Sequence, residues 1–529
     1  MKKVAVTGGG TLAARVTEHL RQSGEVEIVA EGAASTVVYL PRIGGPGSPG
    51  PDMLDTAQTL RRLNSNAIER AVVISSAEIY GASHNNPGMI REDRVLPQSS
   101  NSIQQAWAKY ETLVRELFHG PKLTVLRTAP VITRDGRDFY SDLFRHAAAY
   151  ALPGSVSTLQ LLTPDDFAAA IEAAVTEPET GTYNIAPAGV IPLDAALRLA
   201  EVKRIPVSRL LQNAIRDLRK GKVWPADQIE YIRYNWTVSG ELARRELLFE
   251  PKFTSAQALQ RDSKAQFDDF GMDRAYIDKW GRGGFKFLHK YYWRIESRGL
   301  ANIPKEGKVV LTGVHRGFMP FDATMVLDVL VKGIGRVPRF LIHPCLVKMP
   351  PLNNAMTRWG GLIANQENAD WVLDNEGVVG IYPEGIRGAF TFYKEAYRLH
   401  RFGRDEYVKI ALRNRAPIVP FVTVGHAEIF PILARLDIGW FKRWTEWPFC
   451  PIAPPWPLAP IPLPSKWHME FLPAIHLERE YPAEAAEDPA AVKAIGIKVR
   501  AQMQEAMDRL LAERKHVFFG TIFQGEVMK

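Results

Sequence analysis

Three apolar runs in the second half of the chain each end in polar or glycine residues. They cover residues 309–315, 377–382 and 418–425, and each has the length and composition of a buried strand. In α/β sheets, ligands gather at the carboxyl ends of such strands. The sequence therefore predicts an α/β domain in which three strand ends share one cleft.

Two of these strand ends bring charged residues to the predicted cleft. His315 ends the first run, Asp322 follows it seven residues later, and Glu384 and Arg387 follow the second run. A neutral imidazole can remove the proton of a hydroxyl, and it does so best when a carboxylate fixes its tautomer. The alternative is a surface histidine near a helix-capping aspartate, because Asp is a preferred N-cap. The surrounding pattern favours the base and its orienting carboxylate.

Length and composition limit what else the chain can be. At 529 residues, and at about 100 to 200 residues per domain, it should form two or three domains. Its two cysteines, Cys345 and Cys450, predict no disulfide framework and a reducing compartment. The N-terminus lacks the features of a secretion signal, and no apolar stretch reaches the ~18 to 20 residues that span a bilayer. We expect a protein that is soluble or lies on a surface.

The net charge of +8 is compatible with nucleic acid, with an anionic membrane, or with solubility alone. Nucleic-acid modules would show a zinc-ligand, helix-turn-helix or aromatic-sheet signature, and the sequence shows none. The histidines also lack metal-ligand spacing. We predict neither a nucleic-acid partner nor a bound metal.

The N-terminus follows the order strand, glycine loop, helix. Residues 3–7 are a short β-type run, residues 8–10 are three glycines, and residues 11–22 have helical apolar spacing. In dinucleotide-binding units such a loop lets backbone N–H groups approach a pyrophosphate at a helix N-terminus. Five later segments strengthen the pattern: 71–81, 126–130, 162–167, 181–184 and 243–247.

Taken in order, these segments resemble the extended short-chain dehydrogenase/reductase family of the sugar-nucleotide epimerase type, over residues 1–262. The resemblance implies a Rossmann-like, doubly wound parallel sheet. It also implies NAD(P)-binding roles for Thr7, Gly8 and Gly10 in the loop. The family's later glycines fall on Thr11 and Ala14, which weakens close approach to a pyrophosphate.

The same resemblance assigns further cofactor-site positions. Glu31 is the candidate ribose-binding acid, Ser76 and Lys109 stand at catalytic positions, and Gln105 stands where the family has a tyrosine. Gln105 has no ionisable proton to exchange with a substrate. Between Glu31 and the strand-like residues 36–40 there is also too little chain for the family's usual helix and strand. We expect no hydride transfer, and weak or no NAD(P) binding.

Aromatic and basic residues alternate in the connecting segment, residues 263–299. Residues 285–298 could form one amphipathic helix, either at a headgroup boundary with Lys and Arg meeting anionic lipid, or packed on the next domain. A second aromatic stretch, residues 440–467, holds eight prolines from Pro448 to Pro464. These prolines exclude a regular helix or a central strand. We predict a surface excursion that favours a membrane interface.

Four blocks in the last part of the chain occur in the order of a known family. They are residues 315–322 (HRGFMPFD), 360–366 (GGLIANQ), 382–387 (YPEGIR) and 418–425 (IVPFVTVG). They resemble the glycerolipid (1-acyl-glycerol-3-phosphate) acyltransferase family over residues 285–520. The predicted α/β acyltransferase domain covers residues 300–529.

This resemblance implies transfer of a fatty acyl group from acyl-CoA or acyl-carrier protein to a lipid hydroxyl, without a metal, a cofactor or a covalent acyl-enzyme. His315 would be the general base and Asp322 its partner. The implied substrate-binding residues are Arg316, Gly317, Glu384, Gly385 and Arg387. We expect a cytoplasmic enzyme of phospholipid biosynthesis, held peripherally on the inner face of a membrane.

Departures from the family pattern leave the acceptor open. Six residues separate His315 from Asp322, where the familiar form has four, in a spacing associated with a divergent bacterial branch. Gln366 stands where the second block often has an arginine, so a neutral lipid is a credible acceptor. Two alternatives remain: an NAD(P)-dependent reductase or epimerase with a lipid-binding domain, and a nonenzymatic lipid-binding scaffold.

Overall fold

We describe the chain from a computed structural model. The structure describes residues 1–43, 50–64, 68–83, 85–96, 100–118, 122–133, 138–145, 148–151, 158–206, 226–347, 352–399, 405–458, 461–523 and 528. The chain divides into two compact units, Met1–Met272 with Pro350–Asn354, and Asp273–Met349 with Ala355–Lys529. The second unit begins inside the segment 263–299 that we predict to be a connection.

A parallel sheet forms the centre of the first unit. The strands of this unit are β1 (Lys2–Gly8), β2 (Val26–Ile28), β3 (Thr36–Leu40), β4 (Arg70–Ser76), β5 (Lys122–Thr128), β6 (Ala148–Ala151), β7 (Thr158–Leu159), β8 (Thr182–Ile185), β9 (Ile191–Pro192) and β10 (Lys203–Pro206). Six of them form the parallel sheet, in the order β2-β1-β3-β4-β5-β8. Two small sheets pair β6 with β10 and β7 with β9.

Helices cover both faces of this sheet. They are drawn from α1 (Thr11–Ser23), α2 (Met53–Asn64), α3 (Ser102–Leu117), α4 (Phe139–Arg145), α5 (Pro164–Thr176), α6 (Leu193–Leu199), α7 (Ala226–Glu230), α8 (Glu241–Glu246) and α9 (Ser255–Leu259). Val37 and Val73 enter a core with residues of α2 and α3, whereas Val38 and Val72 enter a second core with residues of α1 and α5. Burial on both faces explains the continuously apolar strands. The predicted Rossmann-like, doubly wound fold is confirmed.

The edge of the sheet beside β1 is short. β2 has three residues, and only the 3₁₀ turn Glu31–Ala33 separates it from β3. β3 then pairs with the opposite side of β1. This connection leaves no room for another helix and strand, as the spacing predicts.

A second, mostly parallel sheet forms the centre of the second unit. The strands of this unit are β11 (Glu296–Arg298), β12 (Val309–Thr312), β13 (Pro338–Ile342), β14 (Leu362–Ile363), β15 (Val378–Ile381), β16 (Ile418–Val424), β17 (Ala434–Leu436), β18 (Cys450–Ile452) and β19 (His468–Phe471). Seven of them form the sheet in the order β11-β19-β16-β12-β15-β13-β14, in which only β16 and β19 are antiparallel neighbours. β17 and β18 pair separately.

Helices also accompany the second sheet. After the first nine helices the chain forms α10 (Arg274–Arg282), α11 (Gly284–Lys286), α12 (Phe321–Ile334), α13 (Pro344–Val347), α14 (Leu352–Arg358), α15 (Gln366–Asp374), α16 (Gly385–Ala389), α17 (Glu406–Arg413), α18 (Gly439–Thr445), α19 (Leu477–Glu480) and α20 (Pro489–Glu513). Within the described ranges, no helix is both long enough and apolar enough to cross a bilayer.

The prediction of one amphipathic helix over residues 285–298 is wrong beyond Tyr292. Helix α11 continues as a π-helical turn, Phe287–Tyr292, and the chain then enters β11. β11 pairs with β19, so residues 296–298 gain ladder hydrogen bonds from a strand that lies about 170 residues later in the chain. Local periodicity could not reveal that partner.

Strand order places three chain segments at one edge of the second sheet. β12 lies between β15 and β16 and is parallel to both. All four residues of β12 are buried. Because parallel strands present their carboxyl ends at the same edge, the loop after β12, the turn after β15 and the end of β16 lie together.

Candidate active site

His315 and Asp322 meet at this edge of the second sheet. The imidazole Nδ1 lies 2.6 Å from Asp322 Oδ2. The carboxylate also accepts the backbone N–H groups of Arg316, at 3.3 Å, and Ala323, at 2.8 Å. The Asp322 side chain is 2% exposed and that of His315 is 15% exposed. Several donors therefore fix the carboxylate, while the ring remains accessible.

The hydrogen bond with Asp322 sets the tautomer of His315. An ionised carboxylate can only accept hydrogen bonds, so Nδ1 carries the proton that it shares with Asp322. Nε2 then keeps its lone pair, as a general base requires.

Aromatic rings hold the plane of the imidazole. Tyr382 directly follows β15 and stacks on His315, with ring centroids 5.0 Å apart and an interplanar angle of 20°. Phe340 stacks on Tyr382 in turn, at 5.3 Å and 15°. Burial raises the pKa of the Tyr382 phenol well above its ordinary value, as does the nearby Asp322 charge, so this ring stays neutral. Tyr382 had no predicted role, although an aromatic residue just before Pro-Glu-Gly was the available signal.

Arg316 and Glu384 form a buried ion pair behind the histidine. Arg316 Nη1 lies 2.6 Å from Glu384 Oε2, and the two side chains are 1% and 3% exposed. The guanidinium also donates to the carbonyl groups of His315, Ala396 and Arg398. Both residues were expected to contact substrate. In the structure the pair ties the loop after β12 to the turn after β15, and contact of either residue with substrate stays a prediction.

The loop that carries His315 has an unusual backbone. Gly317 has a φ of 81°, and Phe318 has a φ of 41°, which is uncommon for a bulky residue. Phe318 is 3% exposed, and its ring contacts those of Phe430 and Trp447. Aromatic packing therefore holds the strained turn that presents the histidine.

An apolar cavity of about 80 Å³ opens beside His315. Its other lining residues are mainly apolar and aromatic: Phe318, Pro320, Ala323, Phe340, Leu341, Ile342, His343, Leu346, Tyr382, Gly385, Ile386, Ala389, Phe390 and Trp447. This space exceeds the roughly 10–15 Å³ that one water needs. Gly385 is exposed where it lines the cavity, and Arg387 is exposed two residues further along α16.

A second histidine, His426, is influenced by the charges of His315 and Asp322 without forming a hydrogen bond to either. His426 follows β16, is fully buried, and has no hydrogen-bond partner on either ring nitrogen among the described residues. Burial lowers its pKa to about 3, and the charges of Arg316 and His315 act in the same direction against that of Asp322. His426 is therefore a neutral group behind the site. Its position after the fourth block was the only sequence signal for it.

Comparison with known proteins gives this site a family. The family model described as Acyltransferase matches residues 294–424, which include His315, Asp322 and Glu384. The uncharacterized protein Rv0502 of Mycobacterium tuberculosis is 34% identical over 260 residues, which make up 48% of this chain and 72% of that relative. The chain belongs to the acyltransferase family.

Two further similarities concern parts of this acyltransferase. Phytyl ester synthase 1, chloroplastic, of Arabidopsis thaliana is 30% identical over 138 residues, or 25% of this chain and 20% of that protein. The solved UDP-N-acetylglucosamine 4-epimerase from Bacillus cereus is 17% identical and covers 49% of this chain and 95% of its own, with a TM-score of 0.37.

The first unit of the acyltransferase contains the predicted glycine loop, and the polar side chains beside this loop form hydrogen bonds with one another. Gly8 ends β1, where an added Cβ would lie 2.5 Å from the Leu40 carbonyl oxygen, and Gly10 precedes α1 with a φ of 94°. Thr7 Oγ1 donates to Glu31 Oε1 at 2.9 Å. Arg62 donates to the same oxygen at 3.2 Å. The candidate ribose-binding acid is thus held by two protein donors.

Lys109, which was predicted to belong to a cofactor site, lies on the exposed side of α3 and does not line the cavity beside that helix. Lys109 and Gln105 are both exposed, whereas Trp107 faces inward and lines a cavity of about 190 Å³. Helical spacing puts residues two apart on different faces. Gln105 and Lys109 therefore lie on the exposed face of the helix, whereas Trp107 lies on its buried face.

The serine and the carboxylates that line this cavity make hydrogen bonds within the protein. Glu78 lines it, fully buried, and burial raises the pKa of its carboxyl against the hydrogen bonds from Gln228, Trp107 and Tyr140. Ser76 Oγ accepts the Glu78 backbone N–H, which caps the turn after β4. Ser76 and Glu78 thus brace the protein, and Asp138, the other carboxylate of the described lining, accepts the backbone N–H groups of Tyr140 and Ser141. We assign no reaction step to NAD(P) in this acyltransferase.

Proposed function

We propose that this acyltransferase moves a fatty acyl group from a thioester, acyl-CoA or acyl-carrier protein, to the hydroxyl of a lipid or glycerol-type alcohol. The observation that carries the proposal is the 2.6 Å contact between His315 Nδ1 and Asp322 Oδ2 beside an apolar cavity. The similarity to a protein named phytyl ester synthase supports ester formation.

The proposed reaction uses His315 twice. Nε2 removes the proton of the acceptor hydroxyl while the hydroxyl oxygen attacks the thioester carbonyl carbon, and Asp322 stabilises the imidazolium. The tetrahedral intermediate then collapses, the C–S bond breaks, and the imidazolium returns the proton to the leaving thiolate. The product is an ester and a free thiol, and no metal or covalent acyl-enzyme is needed.

Other groups have supporting roles in this proposal. The apolar cavity takes acyl-chain carbons next to the reacting carbonyl. Arg316 and Glu384 position the two loops, while exposed Arg387 is available to a phosphate of the acceptor or donor, because a guanidinium fork suits that geometry. We further propose that the enzyme works peripherally at the cytoplasmic face of a membrane in phospholipid metabolism.

One assay tests the proposal. Purified protein is incubated with labelled acyl-CoA or acyl-carrier protein and a panel of lysophospholipids, glycerol phosphate, mono- and diacylglycerols and a long-chain alcohol. We expect labelled ester from at least one acceptor and its loss in His315→Ala, with the circular dichroism spectrum unchanged. Hydrolysis without ester formation, or equal product from His315→Ala, would refute the proposal.

A further inference from the structure

Large apolar side chains are exposed on three segments of the second unit. Their exposed fractions are 54% for Phe287, 59% for Tyr291, 96% for Leu458, 62% for Ile461, 48% for Phe518 and 71% for Phe519. Single exposed apolar residues are ordinary on a protein surface, but a joined group of them marks an interaction site.

Hydrogen bonds join the three segments. Tyr292 donates its hydroxyl to the Pro462 carbonyl at 2.6 Å, and the Trp293 indole N–H donates to the Leu463 carbonyl at 3.2 Å. Arg294 donates to the Phe518 carbonyl at 2.7 Å. Residues 285–294, 456–458, 461–463 and 515–523 therefore form one surface, which we name the aromatic-basic face.

The charge of the aromatic-basic face has one sign. Lys286, Lys290 and Lys515 are exposed, and none of the three segments contains Asp or Glu. The surroundings of another exposed ring, Trp440, differ from this. Trp440 lies three residues after Asp437 in the chain, and the Asp437 carboxylate pairs with Lys442. Exposed rings among lysines, in segments that contain no Asp or Glu of their own, complement anionic headgroups over an acyl boundary.

A layer of aromatic rings connects the aromatic-basic face to the candidate active site. Trp293 stacks on Trp467 at 4.6 Å and 15°, and meets Phe321 edge-on at 5.3 Å. Phe321 directly precedes Asp322 at the start of α12. Trp293 of the aromatic-basic face thus contacts the residue that directly precedes Asp322.

We propose that the aromatic-basic face docks the enzyme on an anionic membrane, with the Phe and Tyr rings at the acyl boundary and the lysines on headgroup phosphates. The inference deepens the proposed function, because it makes the acceptor a lipid reached from the bilayer. It is tested by binding, which does not depend on turnover.

Co-sedimentation with phosphatidylcholine vesicles, with and without phosphatidylglycerol, measures this docking. We expect the full chain to bind the anionic vesicles and to dissociate as salt is raised. Lys286→Glu with Lys290→Glu should weaken binding by about 30-fold or more, since each basic residue near such a surface contributes about 1 kcal/mol. Phe287→Ser with Tyr291→Ser should weaken binding to a similar degree.

Matched controls lie on α20, where Ile497 is 50% exposed and Lys498 is exposed. Ile497→Ser and Lys498→Glu should bind vesicles like the unmodified protein, and thermal denaturation should show that all variants fold. Equal vesicle binding by all variants, or none by the unmodified protein, overturns the inference. So does a dimer that the face variants disrupt in the absence of lipid. Vesicle binding without any ester formation would instead contradict only the proposed function.

Discussion

Helix α12 holds two histidines through two aspartates, and only one of the pairs has the surroundings of an active site. Asp322 contacts His315 at 2.6 Å, and Asp328 contacts His289 at 2.7 Å. Both carboxylates are 2% exposed. By distance and carboxylate burial the two pairs are equivalent.

The pairs differ in access and in charge. The His289 side chain is 4% exposed, and its Nε2 is buried without a hydrogen-bond partner among the described residues. Lys332 lies 2.6 Å from Asp328 and compensates its charge. His315 lines a cavity and its Asp322 is held by backbone N–H groups. A histidine-aspartate contact is thus insufficient for a base, which also needs space for a hydroxyl at Nε2.

The largest expected effect on activity comes from replacing each of the two histidines by asparagine. His315→Asn should lower kcat/KM for ester formation by about 10²- to 10⁴-fold, the usual contribution of a general base. His289→Asn should keep kcat/KM within about twofold and lower the free energy of unfolding by about 1–3 kcal/mol, because Asp328 loses a buried partner. Kinetics and urea denaturation check both. If activity fell in both variants in proportion to the loss of stability, His315 and His289 would not differ in role.

Substitutions of the two aspartates should also differ in their effects on activity, and the loss of rate should be smaller than for the histidines. Asp322→Asn lets the side chain present an amide to Nδ1, which favours the wrong tautomer, so kcat should fall by about 10²-fold or more with KM little changed. Asp328→Asn should leave kcat unchanged and destabilise the fold. The pH dependence of kcat gives a second readout, since Asp322→Asn should alter it and Asp328→Asn should not.

The cations beside the two pairs should differ in their effects on stability. Arg316→Met removes the buried cation that lies 2.6 Å from Glu384 Oε2, which should lower the free energy of unfolding by about 3–5 kcal/mol. Lys332 is 38% exposed, so Lys332→Met should cost no more than about 1 kcal/mol. The double variant Arg316→Met with Glu384→Met should recover part of the loss. Equal costs at both positions would contradict the internal role given to Arg316.

Sequence patterns predicted the strands and the sheet edge at which they end, because these depend on the local order of residues. They did not predict side-chain contacts between segments that are distant in the chain. Three apolar runs ending in polar residues were sufficient to bring His315 and the 382–387 turn to one edge, since parallel strands align their ends. Nothing local distinguishes Arg316 facing substrate from Arg316 paired with Glu384, because that choice depends on rotamers across two loops. The outward face of Lys109 is a similar case, in which a motif at the expected spacing lies on the exposed side of a helix.

The smallest effect concerns His426, the neutral histidine behind the first pair. Its pKa of about 3 lies below the ordinary value of 6.5, so between these values the unfolded chain binds a proton that the native protein does not. The free energy of unfolding should therefore rise with pH over this window and level off above it. From pH 5 to 6.5 this amounts to about 1.6 kcal/mol for one histidine. His426→Met should flatten that part of the stability profile, measured by urea denaturation at several pH values, while His516→Gln on the surface should not. An unchanged slope in His426→Met would show that His426 is not held neutral in the native state.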